Sequence, residues 1–424
     1  MFMTDVRMKG FKERIDVETA LKLFFEKADL KKLESEEVSL WEAYERVLAE
    51  DIIAEVDIPH FNRSAVDGYA VRSMDTFGAS KTNPILLRVV GEVEIGDKPS
   101  VKVGKGEAVR VATGAPLPEG CDAVVMIEYT SKLDDTTVEI YKAATPGGNV
   151  SRIGEDVKAG ELILKKGTIL QPQDVGMLAA LGKTRIKVVR KPRVAVLSTG
   201  NELIEPGNKP DVGQIVDVNR FTIASAVKEI GGEVVDLGIS RDDTGELESK
   251  LKEGLASADM VIVSGGTSVG ARDLLPEVVN RMGEVIVHGV SMKPGMPTAL
   301  AVVNGKPVIL LPGFPVAALI AFYTFVPRIL QRMMGIEVVR QKWNVVKAKV
   351  TRRIPSNAGV RTFTRVVVKE VDGEYVAEPL RTSGSGVLSS MIKANGLIVI
   401  PEDKEGVEEG EEFEVILIRP ILRC

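Results

Sequence analysis

Four apolar, β-branched runs each break into a loop of glycine, serine, threonine and proline, all between Arg193 and Pro315. They read RVAVLSTGNEL from Arg193, DMVIVSGGTSVGARD from Asp259, VIVHGVSMKPGMPT from Val285 and VILLPGFPVAALIAF from Val308. A strand buried on both faces has no polar side to alternate, so runs of this kind require a largely parallel sheet covered by helices. The loops then fall at the carboxyl ends of strands, the edge at which open α/β sheets take ligands. Glycine-rich turns let backbone N–H groups close around an anion there, so a phosphorylated small molecule is the expected ligand.

A chain of 424 residues exceeds one ordinary domain. Ala20, Leu21, Phe24, Phe25 and Ala28 recur at helical spacing within Val17–Leu30, and Ser39–Glu50 reads as a second helix. From Ala54 to Ala144 the texture becomes short valine-rich strands separated by turns, and Pro172–Leu181 returns to a helix. From Lys187 strands and helices alternate, which calls for right-handed crossovers. Asn304-Gly305 between two valine-rich runs signals a hairpin and an antiparallel end to the sheet. After Gly335 the texture is β again. The expected organisation is multidomain α/β plus β. An elongated helical/β part (1–53 and 148–186) carries an inserted β domain (54–147), followed by an α/β domain (187–336) and a C-terminal β barrel (337–424).

The net charge of −5 and the lack of a long basic run speak against nucleic acid and anionic membranes as partners. No apolar segment is expected to reach the roughly 20 residues that span a bilayer, and the start MFMTDVRMKGFKERID lacks a signal peptide's apolar stretch. With two cysteines, Cys121 and Cys424, a reduced, cytoplasmic setting is expected, and Cys121 reads as a core residue. Plentiful Lys, Glu, Val and Ile with scarce glutamine resemble the balance of proteins from hot environments. Walker, dinucleotide and nucleophile-elbow signatures are missing.

Within the loops, Ser264, Gly265, Gly266, Thr267 and Ser268 offer backbone and hydroxyl donors to phosphate oxygens, and Asp273 follows where it could hold a divalent cation against them. Asp242 and Asp243 follow another strand, and Glu202 repeats the pattern after Ser198-Thr199-Gly200. Carboxylates without a His/Cys cluster favour magnesium; the competing reading makes each acid a helix N-cap. Lys293 sits in a proline-glycine turn where it would neutralise an oxyanion, and Pro312, Gly313 and Pro315 shape the entry to the last helix. Asp67-Gly68 reads as a turn, and the histidines His60 and His288 are too few for a His-based metal site.

Taken together, SAVDGYAV from Ser64, TGAPLPEGCDAVV from Thr113, GEDV from Gly154, STGNEL, SGGTSVGARD, KPGMPT and LPGFPVA resemble the molybdopterin molybdenumtransferase family, which includes bacterial MoeA and the E domain of gephyrin. The match runs in order through nearly the whole chain. The resemblance implies insertion of molybdate, or tungstate, into adenylylated molybdopterin, with release of AMP in a magnesium-dependent step. It implies an elongated homodimer with the site at the subunit interface and transient contact with a molybdopterin adenylyltransferase. Functional acids then fall on Asp67, Asp156, Glu202, Asp242 and Asp273, with Asp242 and Asp273 on the metal; Thr113, Lys293, Pro312 and Pro315 are further site positions. Arg361 and Ser385 become oxyanion contacts, Arg361 shifted by one residue from the family pattern, and Gly289 stands where some relatives carry a basic residue. The α/β domain alone also resembles molybdopterin adenylyltransferases, and a gephyrin-like scaffold is a third reading.

Overall fold

In the computed structural model, which describes residues 14–266, 274–336, 343–380 and 385–423, the first apolar repeat becomes helix α1 (Val17–Lys27). Asp16 caps it by accepting the Thr19 N–H at 2.9 Å. Two units make up the described chain. One holds the residues through Glu36, Glu45–Val47 and those from Val188 on; the other holds Glu37–Tyr44 and Leu48–Lys187. Helix α1 buries Val17, Ala20, Leu21 and Phe24 in a core shared with the α/β sheet.

The expected helix over Ser39–Glu50 does not form. Leu40–Glu42 make one 3₁₀ turn, and Val47–Leu48 are a short strand. The break has local causes. Glu45 lies at φ 60°, a conformation no α-helix tolerates. The Leu48 N–H donates to the Thr168 carbonyl at 2.9 Å rather than back along a helix. Trp41, within the stretch, is 98% exposed rather than packed on a core.

The second unit is built on six strands: β1 (Gly68–Val71), β2 (Ile85–Val93), β3 (Glu107–Val111), β4 (Ala123–Met126), β5 (Thr130–Lys132) and β6 (Thr137–Ile140). Their order is β4-β1-β3-β2-β6-β5. Along β1, Tyr69 and Val71 join one apolar cluster and Ala70 the other, the period-two division expected of a strand covered on both sides. Gly68 is obligatory: a Cβ there would stand 1.9 Å from the Val125 carbonyl oxygen. Asp-Gly is thus the entry to a strand packed tightly on its neighbour. Helix α2 (Pro172–Ala180) follows, with proline in its first turn.

The first unit contains the α/β sheet. In chain order come β7 (Arg193–Thr199), α3 (Asn219–Glu229), β8 (Glu233–Ser240), α4 (Thr244–Ser257), β9 (Met260–Ser264), α5 (Leu274–Met282), β10 (Glu284–His288), β11 (Ala299–Val303), β12 (Lys306–Leu311) and α6 (Pro315–Met334). The order β8-β7-β9-β12-β11-β10 has parallel pairs from β8 to β12. The Asn304-Gly305 hairpin, both residues at positive φ, turns β11 antiparallel to β12, and β10 is antiparallel to β11. One apolar core lies on each face of the sheet.

Helix α6 corrects one expectation. With 20 residues it is long and apolar enough to cross a membrane by length and composition. It is a core helix here: Phe322, Phe325, Val326 and Ile329 are fully buried against α1 and the sheet.

The C-terminal part closes into a five-stranded barrel of β13 (Val345–Val350), β14 (Arg361–Val371), β15 (Glu374–Pro379), β16 (Gly396–Ile400) and β17 (Glu412–Leu417). The circuit runs β14-β15-β13-β17-β16 and back to β14. Met292–Lys293 pair in parallel with Arg361–Thr362, adding a short piece of the α/β domain to the long strand β14.

Candidate functional site

The carboxyl ends of β7, β8, β9 and β12 meet at one rim. The Gly265 N–H donates to the Leu311 carbonyl at 3.1 Å, and the Gly200 N–H to the Ser240 carbonyl at 3.1 Å. Gly265 has φ 102°, and a Cβ on it would lie 2.2 Å from the Thr199 carbonyl oxygen. Only glycine lets the chain turn there while touching its neighbour. A Cβ on Gly313 would stand 3.6 Å from the Gly265 Cα, so the turns after β9 and β12 are adjacent.

Three acids stand at the turns of this rim. Asp242, half-buried, accepts the Thr199 hydroxyl at 2.9 Å, while its own N–H donates to the Asn201 side chain at 3.2 Å. Its neighbour Asp243 takes the capping role, accepting the Gly245 and Glu246 N–H groups at 3.0 and 2.9 Å. The capping alternative thus belongs to Asp243 and leaves the Asp242 carboxylate for other work. Glu202, exposed, folds its carboxylate over Gly200, both oxygens within 2.7 Å of where a Cβ would be. Thr267, Ser268 and Asp273 lie outside the described residues.

Beside the rim opens a cavity of about 750 Å³. Lys293, Pro312, Phe314 and Ser385 border it, and so do Arg14, Arg352, Arg353 and Arg365. Five cationic residues and no carboxylate line this space among the described residues, two of them already engaged: Arg353 pairs with Glu408 at 3.0 Å and Arg352 donates to the Pro379 carbonyl. Proline 312 also belongs to the rim turn, so the two features share a wall. The Ser385 carbonyl accepts the Val316 N–H at 3.1 Å in the first turn of α6, the helix that Pro315 opens.

Arg361 is elsewhere. Its guanidinium donates to Glu18 Oε1 at 3.0 Å and to Glu402 Oε2 at 3.3 Å, and Glu18 also takes Arg328 at 2.8 Å. Burial works to raise the Glu18 carboxyl, but Arg361 and Arg328 outweigh it and hold it below the usual carboxylate range. Arg361 thus joins α1, α6 and the barrel, and of the two arginines in RTFTR it is Arg365, four residues on, that lines the cavity. Burial pushes the Arg365 guanidinium below the ordinary arginine value. The repeated arginine in RTFTR was the available signal, but the consumption of the first by Glu18 is not readable from spacing.

In the second unit, Asp67 accepts both the N–H and the hydroxyl of Thr113, at 2.7 and 2.8 Å. Those two donors hold its carboxyl below the usual range. Asp156 is exposed, its N–H on the Ile58 carbonyl at 3.0 Å. Cys121 is half-buried and free, and burial pushes its thiol up to about 12, which makes it inert at neutral pH. Among the described residues no three His, Cys, Asp or Glu side chains gather as metal ligands. Among the described residues Asp242 is a rim carboxylate that caps no helix, and a metal held there would have to take most of its ligands from water or substrate, as magnesium does.

Three family models match the chain: "MoeA N-terminal region (domain I and II)" over residues 15–182, "Probable molybdopterin binding domain" over 195–331 and "MoeA C-terminal region (domain IV)" over 347–418. The molybdopterin molybdenumtransferase of Haemophilus influenzae is 35% identical over 90% of this chain and 93% of its own length. That of Bacillus subtilis is 34% identical over 91% of this chain and 90% of its own. The crystal structure of the molybdopterin biosynthesis MoeA protein from Pyrococcus horikoshii superposes with a TM-score of 0.80 at 39% identity, covering 96% of this chain and 100% of that one. With all three family models in sequence and relatives matched over nearly their whole length, the chain belongs to the molybdopterin molybdenumtransferase family.

Proposed function

We propose that this protein inserts molybdate, or tungstate, into adenylylated molybdopterin and releases AMP, in a magnesium-dependent step. The observation that carries this reading is the glycine-lined rim with an acid that caps no helix, Asp242, sharing the Pro312 wall with a cavity that Lys293 and Arg365 line. The Ser264-Gly265-Gly266 turn would take the phosphates, and Asp242 with Asp273 would hold magnesium, which when bound neutralises the phosphoanhydride. Lys293, Arg365 and Ser385 would hold the oxyanion next to the pterin. Most of the acceleration then comes from proximity and fixed charge rather than from acid-base chemistry.

Asp67, Thr113 and Asp156 are proposed to complete the site in a homodimer, each copy contributing them to the other. Incubation with adenylylated molybdopterin, magnesium and molybdate is the test; without AMP release coupled to metal insertion the reading fails. The Arg365→Ala variant is expected to raise the KM for molybdate roughly tenfold to a hundredfold, as loss of a charged hydrogen bond would. Arg361→Ala is expected to leave that KM unchanged. Saturation kinetics in molybdate distinguish the two arginines.

A further inference from the structure

Beneath the rim, the segment Asp217–Arg220 reaches several of its turns. Asp217, 2% exposed, accepts the Ser198 hydroxyl at 2.9 Å, and the Ser198 and Ser264 hydroxyls are 3.1 Å apart. Arg220 neutralises Asp217 through Nε at 3.1 Å and extends to Asp236 at 3.0 Å and to Glu205. Between them, Asn219 sends its amide nitrogen to the Gly313 carbonyl at 2.7 Å. That side chain is 7% exposed, and its Oδ1 is buried with no hydrogen-bond partner among the described residues.

A fold gains little from this choice. Gly313 is exposed, so water could satisfy its carbonyl, whereas the buried Oδ1 is a net cost that an apolar side chain of similar shape would remove. A local rule broken without gain in packing is expected where function compensates. The bonded residue supplies the reason: Gly313 lies against Gly265, so the Asn219 bond fixes the turn after β12 relative to the glycine turn after β9.

We infer that Asn219 is a positioning residue, holding the Pro312–Phe314 turn so that the rim fits the nucleotide phosphate; this rests on the reading of the rim given above. The test uses the full chain with magnesium and AMP as the probe, titrated calorimetrically, alongside thermal melting. Asn219→Leu is expected to melt at or above the wild-type temperature while the dissociation constant for AMP rises about tenfold, about 1.4 kcal/mol. In turnover, KM for the adenylylated pterin rises by a similar factor with kcat retained. Should the leucine variant not fold, Asn219→Ala removes the same donor without added bulk and carries the same binding expectation. A dissociation constant equal to the wild-type value overturns the inference, whatever the melting temperature does. Wild-type protein that binds no AMP overturns the reading of the rim itself, a failure that the variant comparison keeps separate.

Discussion

Replacing Gly265 with alanine is expected to destabilise the α/β part by about 3 kcal/mol or more, among the larger effects open to a single added methyl. Two penalties coincide. At φ 102° an L side chain is strained by about 1–3 kcal/mol, and the new Cβ would meet the Thr199 carbonyl at 2.2 Å, a backbone atom unable to rotate away. Relief would require β7 and β9 to part at the point where Ser198 pairs with Ser264 in the parallel ladder. Gly313→Ala is the control. Its Cβ would meet Gly265 at an ordinary 3.6 Å, so it is expected to unfold close to wild type. Urea denaturation followed by far-UV circular dichroism compares the two; equal midpoints would mean that the close approach at Gly265 is not required.

The second large effect is catalytic. Asp242→Asn keeps an oxygen to accept the Thr199 hydroxyl and touches no cap, so melting is expected to stay near wild type. It removes the negative charge, and kcat for AMP release is expected to fall by about 10²–10³, the usual loss when one preorganised electrostatic group is removed. The adjacent acid is expected to behave in the opposite way. Asp243→Ala loses two N-cap hydrogen bonds and about 1 kcal/mol of stability, with turnover largely kept. Initial rates and melting curves on both variants decide the matter; an Asp242→Asn enzyme at wild-type rate would remove this carboxylate from the mechanism.

The strands were legible because their signal is local. Val194 to Leu197 and Met260 to Val263 are buried on both faces, and no other arrangement accommodates such runs in a soluble sheet. The Asn304-Gly305 hairpin was readable for the same reason, since positive φ at two successive positions is written in the residue types. The failures share the opposite property. Ser39–Glu50 reads as a helix, yet Glu45 turns left-handed and the strand at Val47 follows. Nothing in the local pattern reveals that. That Arg361 pairs with Glu18 across 343 residues is equally invisible in the local sequence. Arg365 and Asn219 escaped notice because their significance lies in what they face, the cavity and the Gly313 carbonyl, and neither belongs to a motif. The position of Asp242 and Asp243 after a strand end was foreseeable; the division of labour between them was not, since either can cap a helix by residue type.

The two-residue pairing of Met292–Lys293 with β14 has a consequence for any attempt to shorten the protein. The α/β sheet has cores of its own on both faces, so a fragment ending near Gly335 would keep most of its buried apolar surface. Such a truncation would nevertheless unpin the backbone of Lys293 and strip away the opposite half of the basic wall, where Arg352, Arg353 and Arg365 stand. The isolated fragment would retain a sheet yet lose the enclosure in which an oxyanion could be concentrated, so the barrel and the lysine it anchors would have to be kept together.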